Sequence, residues 1–199
     1  MTKPAALTAE RILQETEEVL RTHGASRATV MDVARALGVS HGTVYRHFRT
    51  KAELREAVTR RWLKNASGAL VLIVQEGGES APDKLRRWLS ALFAAKRRKA
   101  GEDPQLFATY EGLLGEHSQV VEEHIGELVG QIEEILEQGV ARGEFRYPHP
   151  DPSISARAVF DATAPFHDPK HAAGWHRSGI ETEFSAVLDL VLLGVTVPS

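Results

Sequence analysis

The sequence predicts an all-α protein of about nine helices. Apolar residues recur three and four positions apart in almost every segment, which is the period of an amphipathic helix. Residues that favour helix starts precede these segments, and glycine or proline commonly follows them. The alternation of apolar and polar residues that indicates a strand never extends beyond a few positions. The hydrophobic share of 42% and the charged share of 26% are typical of a globular protein.

Three short helices are predicted in the first fifty residues, over positions 8–23, 29–37 and 40–47. The second begins with a variant of the capping box, because Thr29 is followed three residues later by Asp32. Gly38 is expected to end this helix, since glycine adopts the left-handed conformation at little cost. Ser40 is a natural N-cap for the third helix.

Six further helices are predicted in the rest of the chain. Thr50 and Glu53 form a full capping box at the start of a long helix, which two glycines interrupt after residue 76. The starts of the other five are predicted at Pro82, Asp103, Ser118, Asp151 and Ser178. Pro165 is expected to end or kink the helix that begins at Asp151, because proline cannot continue the backbone hydrogen bonds.

Composition excludes several classes of function. The chain has no cysteine, so disulfides, thiolate metal sites and cysteine nucleophiles are excluded. The first residues show no signal-peptide pattern, and the most apolar stretch, Val187–Val197, is too short to span a bilayer. A cytoplasmic protein is therefore expected, and no cofactor or bound metal is predicted.

Charge is distributed unevenly along the chain. Residues 1–64 contain 12 Lys and Arg against 7 Asp and Glu, whereas the remainder contains 12 against 20. A basic first third joined to an acidic body indicates a polyanionic partner for the first third. Chance alone can produce such an asymmetry, so the charge count does not by itself identify a polyanionic partner.

Residues 29–51, TVMDVARALGVSHGTVYRHFRTK, carry the pattern of a helix-turn-helix. Two short helices are joined by a glycine-containing turn, and their apolar residues are spaced to pack on each other. The predicted clamp consists of Val33, Ala34 and Leu37 facing Val39, Val44 and Phe48. With Val44 and Phe48 turned inward, the polar residues of the third helix are left exposed, as in helices that enter a DNA major groove.

Roles at DNA follow from side-chain chemistry. His41 and Thr43 are predicted to contact base edges, and Gly42 to let the backbone approach DNA closely. Hydroxyl groups and Lys51 are suited to phosphates, and helix N-termini add backbone N–H donors. The predicted DNA-contacting residues are Thr29, Ser40, His41, Gly42, Thr43, Tyr45, Arg46, His47 and Lys51.

This segment, and more loosely residues 8–62, resembles the DNA-binding domain of the TetR/AcrR family of bacterial regulators. The shared pattern is TV-DVA--LGVS-GTVY-HF--K-EL, which ends in the long helix after residue 50. The resemblance departs at His41, where the family often has lysine or arginine. It implies a DNA-binding domain over residues 1–50 and a ligand-binding and dimerisation domain over residues 51–199. It also implies a homodimeric transcription regulator, usually a repressor that a small-molecule effector releases from operator DNA.

The last predicted helix carries an apolar stripe that could pair with a second subunit. Its spacing is that of one helix face, and alanines in the preceding helix would allow close packing. The predicted dimer contacts are Phe184, Val187, Leu188 and Val191. An ordinary core within one chain would produce the same pattern.

Aromatic and histidine side chains in the second part of the chain are candidates for an effector pocket, which needs an apolar cavity with a few polar groups. The candidates are Trp62, Trp88, Phe107, Tyr110, Leu114, His117, His124, Phe160, Asp161, Phe166, His167 and His171. An aromatic core with hydrogen-bonded histidines is the alternative.

Two other functions stay open at this stage. A ligand-independent DNA-binding protein would share the helix-turn-helix but lack an effector. A hydrolase with a histidine-ligated metal would use some of the same histidines with Asp161, although no close spacing enforces that geometry. The basic run at residues 96–99 is predicted to be a solvated helix end, where cations favour the helix dipole.

Overall fold

The computed structural model describes residues 7–24, 27–116, 118–147 and 149–197, except for the side chain of Ala66. Within these ranges the chain forms nine α-helices: α1 Ala9–His23, α2 Val30–Ala36, α3 His41–Tyr45, α4 Lys51–Gln75, α5 Ala81–Glu102, α6 Pro104–Gly115, α7 Gln119–Ala141, α8 Pro152–Ala162 and α9 Ile180–Val195. Two short 3-10 helices, Ala164–Phe166 and Pro169–Gly174, lie between α8 and α9. The all-α class is confirmed.

The helix starts follow the predicted capping residues. Thr8 accepts a hydrogen bond from the backbone N–H of Arg11 at 3.2 Å, and Asp151 accepts one from Ser153 at 2.9 Å. Each side chain supplies a partner that the first turn of a helix lacks. Local sequence therefore sets the beginnings of α1 and α8.

Some helix ends differ from the prediction. The carboxylate of Glu53 accepts from the backbone N–H of Arg49 at 2.7 Å, so the capping box at Thr50 is only half formed. The N-cap of α9 is Gly179, in the left-handed conformation and without a side-chain bond, rather than Ser178. An isolated antiparallel bridge between Phe145 and Thr196 was not predicted.

The chain divides into two compact units. The first comprises residues 1–65 and 102–122, and the second comprises residues 66–101 and 123–199. The domain boundary predicted after residue 50 falls inside the first unit. Helices α4 and α7 each contribute residues to both units.

The first unit is held by an aromatic group and by buried ion pairs. Trp62 of α4 lies edge-on to Phe107 of α6, with ring centroids 6.4 Å apart, and donates its indole N–H to Asp103 at 3.3 Å. Glu17 of α1 is buried and accepts from Arg61 at 2.6 Å. Burial raises the pKa of Glu17, and the Arg61 charge opposes this shift. These contacts fasten α6 and the first half of α4 to the N-terminal helices.

The second unit has an aromatic core and a buried lysine. The ring of Phe93 lies 5.4 Å from Phe166 and 5.0 Å from Phe184. Lys84 donates to the carbonyl oxygens of Val74 at 3.0 Å and Glu76 at 2.6 Å. Since both carbonyls lie at the C-terminal end of α4, the ammonium satisfies acceptors that the helix leaves unpaired.

None of the described helices combines the length and the apolar character that crossing a bilayer requires.

Candidate nucleic-acid interface

Helices α2 and α3 form the predicted clamp. Val33, Ala34, Val44 and Phe48 are buried, and Val44 has no exposed surface. Gly38 makes the turn between the helices with a φ of 67°, where a side chain would be strained. Leu37 and Val39, the other two predicted members, are half-buried. A short helix of five residues is thus fixed by its apolar side rather than by its own length.

The opposite side of this motif is polar and open to solvent. Of the nine residues predicted to contact DNA, eight are exposed and only Thr43 is half-buried. Tyr45, which is 40% exposed, lies edge-on to the ring of His41 with centroids 6.3 Å apart. The two rings therefore support each other at the surface. That these residues contact DNA stays a prediction.

The hydroxyl group of Thr43 is already ordered within the unit. Its Oγ1 lies 3.0 Å from the Oγ of Ser40 and accepts from the guanidinium of Arg46 at 3.3 Å. Ser40 also accepts from the backbone N–H of Thr43 at 3.3 Å, which caps α3. A base contact by Thr43 would therefore begin from a fixed rotamer, at the cost of sharing its present partners.

The structure of the unit would accept a larger residue in place of Gly42. A Cβ atom built there would meet only the Ser40 Oγ, at 3.8 Å, and its backbone does not have a positive φ. Alanine favours a helix by about 1 kcal/mol over glycine, so stability alone would not select this residue. No contact within the unit therefore requires a glycine at this position.

Thr29 is engaged in the capping box of α2. It accepts from the backbone N–H of Asp32 at 3.2 Å, and its hydroxyl donates to the Asp32 carboxylate at 2.6 Å. These hydrogen bonds lower the pKa of Asp32, which therefore stays ionised. To donate to a phosphate, as predicted, the Thr29 hydroxyl would have to give up its hydrogen bond to the Asp32 carboxylate.

Three exposed residues next to this surface were not included in the prediction. Arg49 lies between α3 and α4, and Arg35 lies in the last turn of α2 with 76% of its side chain exposed. Met31 of α2 is 63% exposed. His47 and Phe48 lie between Arg46 and Arg49, so the sequence itself contains the signal for a second cation at this surface.

The predicted dimer contacts require a correction. Phe184 and Leu188 are buried within the second unit, where Phe184 packs against Phe93 and Phe166, so they are not available to another subunit. Val187 and Val191 are half-buried. The outer face of α9 instead carries Leu190, 68% exposed, and Leu193, 73% exposed.

The predicted pocket residues are divided between the units. In the first, Trp62, Phe107 and Tyr110 are buried together, and Leu114 is half-buried. His117 lies outside the described residues. The buried aromatic contact in this unit fits the alternative of an ordinary core.

In the second unit, five predicted pocket residues are buried: Trp88, His124, Phe160, Phe166 and His167. Asp161 and His171 are exposed, and Asp161 is paired with Arg157 at 2.9 Å, so these two do not face the interior of the unit. Desolvation by burial lowers the pKa of His124 to about 3 and that of His167 to about 4. Both rings are therefore neutral near pH 7.

Lys96 is the residue that the pattern analysis missed. The basic run at residues 96–99 predicts a solvated helix end, but the Lys96 side chain is only 8% exposed. Burial lowers its pKa to about 8. The signal was present in the spacing, because Leu89, Leu92, Phe93 and Lys96 continue one stripe of α5.

No group of three or more histidine and carboxylate side chains placed to hold a metal ion is found in the part of the chain that the structure describes.

Two family models match the chain. One, described as bacterial regulatory proteins of the tetR family, matches residues 12–58, which include α2 and α3. The other, described as a tetracyclin repressor-like C-terminal domain, matches residues 81–188, which is more than half of the chain. The residues between the two matched ranges, 59–80, include α4 from residue 59 onward.

Individual proteins show the same relationship. The nucleoid occlusion factor SlmA of Shewanella woodyi is 30% identical over 129 residues, which are 65% of this chain and 64% of that protein, just under two thirds of its length. The fold resembles the regulator FadR of Bacillus subtilis in complex with stearoyl-CoA, with a TM-score of 0.65, 17% identity and coverage of 94% and 99%. It also resembles SmeT, the repressor of the Stenotrophomonas maltophilia multidrug efflux pump SmeDEF, with a TM-score of 0.66, 19% identity and coverage of 98% and 93%. The chain belongs to the TetR family of bacterial regulatory proteins, and its N-terminal part has the helix-turn-helix of that family.

Proposed function

We propose that this regulator binds operator DNA by inserting α3 into the major groove. The observation that carries the proposal is the exposed polar side of α3, held in place by the buried Val44 and Phe48. His41 and Thr43 read bases, while Tyr45 and Lys51 contact phosphates. The cations Arg46 and Arg49 add electrostatic attraction on the same surface.

The proposed active form is a homodimer that joins through the outer face of α9. Ala186, Leu190 and Leu193 are exposed and recur at the four- and three-residue spacing of a helix–helix seam. Exposed apolar side chains that adjoin each other, as Leu190 and Leu193 do one turn apart on α9, commonly mark such an interface. Two copies related by twofold symmetry would present two α3 helices to half-sites about one DNA turn, roughly 34–36 Å, apart.

The proposed outcome is repression that a small-molecule effector relieves, in the bacterial cytoplasm where the chromosome lies. Of the two structural neighbours, FadR of Bacillus subtilis forms a complex with stearoyl-CoA, and SmeT is the repressor of a multidrug efflux pump. The buried aromatic and histidine side chains of the second unit are the candidates for effector contact in this chain. An effector that binds the DNA-free state more tightly shifts the population away from the operator.

Selection of bound duplexes from a random DNA pool, followed by a metabolite screen for their release, tests this function. We expect an enriched site with two related halves and at least one compound that releases it. A protein that ignores every duplex at low salt would overturn the DNA-binding proposal. An enriched site that no compound releases would favour the ligand-independent alternative.

Gly42→Ala is expected to weaken operator binding by about tenfold or more without lowering the melting temperature. The added methyl group has room in the DNA-free unit, and alanine favours the helix, but the methyl group projects where the backbone approaches DNA. Fluorescence anisotropy on the selected duplex and thermal unfolding measure the two effects. Ala36→Gly, at an exposed position of α2, is a control for helix propensity. Unchanged affinity in Gly42→Ala would show that the backbone does not approach DNA closely there.

Lys51→Ala is expected to weaken binding to all duplexes alike and to reduce the slope of log affinity against log salt by about one. The side chain is exposed at the start of α4, where it can neutralise one phosphate. Thr43→Ala should instead change the preferred sequence and leave the salt slope nearly unchanged. A Lys51→Ala variant with the wild-type slope would contradict the phosphate contact.

A further inference from the structure

Two hydroxyl groups and a guanidinium form a hydrogen-bonded group on α3 and its N-cap. The Oγ atoms of Ser40 and Thr43 lie 3.0 Å apart, and either hydroxyl can donate to the other. Arg46 donates to the Thr43 Oγ1 at 3.3 Å, and the backbone N–H of Thr43 donates to the Ser40 Oγ at 3.3 Å. These three side chains are called the Ser40–Thr43–Arg46 group below.

Hydrogen-bond capacity limits what the Thr43 hydroxyl can do. A hydroxyl group has one proton and two acceptor lone pairs, whereas a guanidinium can only donate. Arg46 therefore occupies one lone pair of the Thr43 Oγ1. If the Ser40 hydroxyl donates as well, both lone pairs of Thr43 are used, and its proton is available to an acceptor outside the protein. If Thr43 donates to Ser40 instead, Thr43 can only accept from outside.

The charge of Arg46 decides between these two arrangements at DNA. A base acceptor that approaches Thr43 is attracted by the guanidinium, whereas a base amino group is repelled. A hydroxyl that accepts from a cation is also a stronger donor, because linked hydrogen bonds polarise one another. The group therefore favours the arrangement in which Ser40 donates to Thr43 and Thr43 donates to a base.

Arg46 adds further donors beside the Thr43 hydroxyl. Its side chain is exposed, and the bond to Thr43 is the one side-chain hydrogen bond it makes within the described part of the chain. A guanidinium has five N–H donors, so most of them stay available to DNA. Thr43 and Arg46 thus present neighbouring donors to whatever faces α3.

Guanine is the base whose major-groove edge matches two neighbouring donors, because O6 and N7 are both acceptors. Adenine combines the N7 acceptor with an N6 amino donor, and cytosine presents an N4 amino donor. Thymine has one acceptor next to a methyl group. An amino group opposite these donors would leave hydrogen-bonding groups unpaired, which disfavours adenine and cytosine.

We propose that Thr43 and Arg46 together read one guanine in the operator major groove, and that Ser40 is the positioning residue that directs the Thr43 proton towards this base. This inference rests on the proposed function, because it names the base at the contact that Thr43 makes. It gives Arg46 a role in sequence preference in addition to its charge.

The experiment measures affinity for all single base-pair variants of the selected duplex by fluorescence anisotropy. Thr43→Val keeps the shape of the side chain but removes the hydroxyl, so the position whose preference changes in this variant is the one that Thr43 faces. Wild type is expected to prefer guanine there by at least about tenfold. Thr43→Val should remove most of this preference, and Thr43→Ser, which keeps the hydroxyl, should retain it.

Modified bases at the same position test the acceptors directly. 7-Deazaguanine lacks the N7 acceptor and should lower wild-type affinity by about fivefold or more. Inosine lacks only the N2 amino group, which lies in the minor groove, and should bind within about twofold of guanine. In Arg46→Met the penalty for 7-deazaguanine should shrink, since one of the two donors is gone.

Two further variants separate base reading from charge and from folding. Arg49→Met removes an exposed cation outside the group and should weaken all duplexes alike, whereas Arg46→Met should also lower the guanine preference. Ser40→Gly is tolerated as an N-cap and should lower the preference by at least about threefold, because it frees a lone pair of Thr43. Thermal unfolding checks that each variant is folded.

Three results would overturn the guanine contact: another preferred base at the Thr43 position, full preference at every position in Thr43→Val, or unchanged affinity for the 7-deazaguanine duplex. An unchanged preference in Ser40→Gly would refute the positioning role of Ser40. The proposed function fails in a different way. If wild type binds no duplex, both fail, whereas sequence-specific binding with another base at this position leaves the regulator standing and refutes only the guanine contact.

Discussion

Glutamate in place of both Leu190 and Leu193 is expected to give a folded monomer with about 100-fold or more lower affinity for operator DNA. These side chains are 68% and 73% exposed in one chain, so the change costs little within the unit but places charges on the proposed seam. Losing the second α3 helix removes the linked second half-site. Sedimentation measures the mass, circular dichroism the helix content, and anisotropy the DNA affinity.

Two further variants define what this result means. Ser185→Glu adds a charge to an exposed position of α9 away from Leu190 and Leu193, and should leave the dimer intact. Phe184→Asp should unfold the protein rather than separate subunits, because Phe184 packs inside the unit against Phe93. A stable dimer of the double glutamate variant would place the subunit interface elsewhere.

Acid is expected to destabilise the second unit progressively from about pH 6.5 downwards, starting above the pH at which most carboxylates are protonated. His124 and His167 have pKa values lowered from 6.5 to about 3 and about 4 by desolvation. The Lys96 charge lowers both further, while Asp161, Asp168 and the bond to Phe160 oppose the shift at His167. Below pH 6.5 these two histidines bind protons in the unfolded chain but stay neutral in the folded chain. The stability of the folded chain is therefore highest above pH 6.5, and it decreases as the pH falls towards 4.

The expected loss of stability on acidification is large for a protein of this length. Each histidine adds a slope of up to about 1.4 kcal/mol per pH unit to the free energy of unfolding. Near pH 4 the loss of stability from each is on the order of 3 kcal/mol. Urea unfolding between pH 7 and pH 4 measures it, with His124→Gln expected to flatten the slope and the exposed His176→Gln serving as control. An unchanged slope in His124→Gln would mean that the buried ring is not responsible.

The helix-turn-helix was predictable because its signals are local. Thr29, Gly38 and Ser40 fix the ends of two helices through hydrogen bonds and backbone conformation within a few residues. The buried Val44 and Phe48 then decide which side of α3 remains exposed. The engagement of the Thr29 and Thr43 hydroxyls was not predictable, since it depends on rotamers that a sequence does not specify.

The surface of α9 shows why the dimer contacts could not be assigned from periodicity. The helix carries an inner stripe that includes Phe184 and Leu188, and an outer one that includes Leu190 and Leu193. A pattern of apolar residues reveals that stripes exist but not which of them meets the chain's own core. Lys96 is the converse case. Its basic neighbours in sequence indicate a solvated helix end, whereas its position on the apolar stripe of α5 agrees with its burial.

The division of the chain has a consequence for the modularity of this regulator. The backbone passes between the two compact units three times, near residues 65, 101 and 122. A fragment that ends at residue 65 would lack Phe107 and Tyr110, which cover Trp62. A hybrid regulator that joins residues 1–65 to a foreign sensor at a single splice point would therefore expose the indole ring of Trp62 to water. Recombination that preserves folding therefore has to keep α6 together with residues 1–65, which means replacing the two segments of the second unit, 66–101 and 123–199, through three junctions at once.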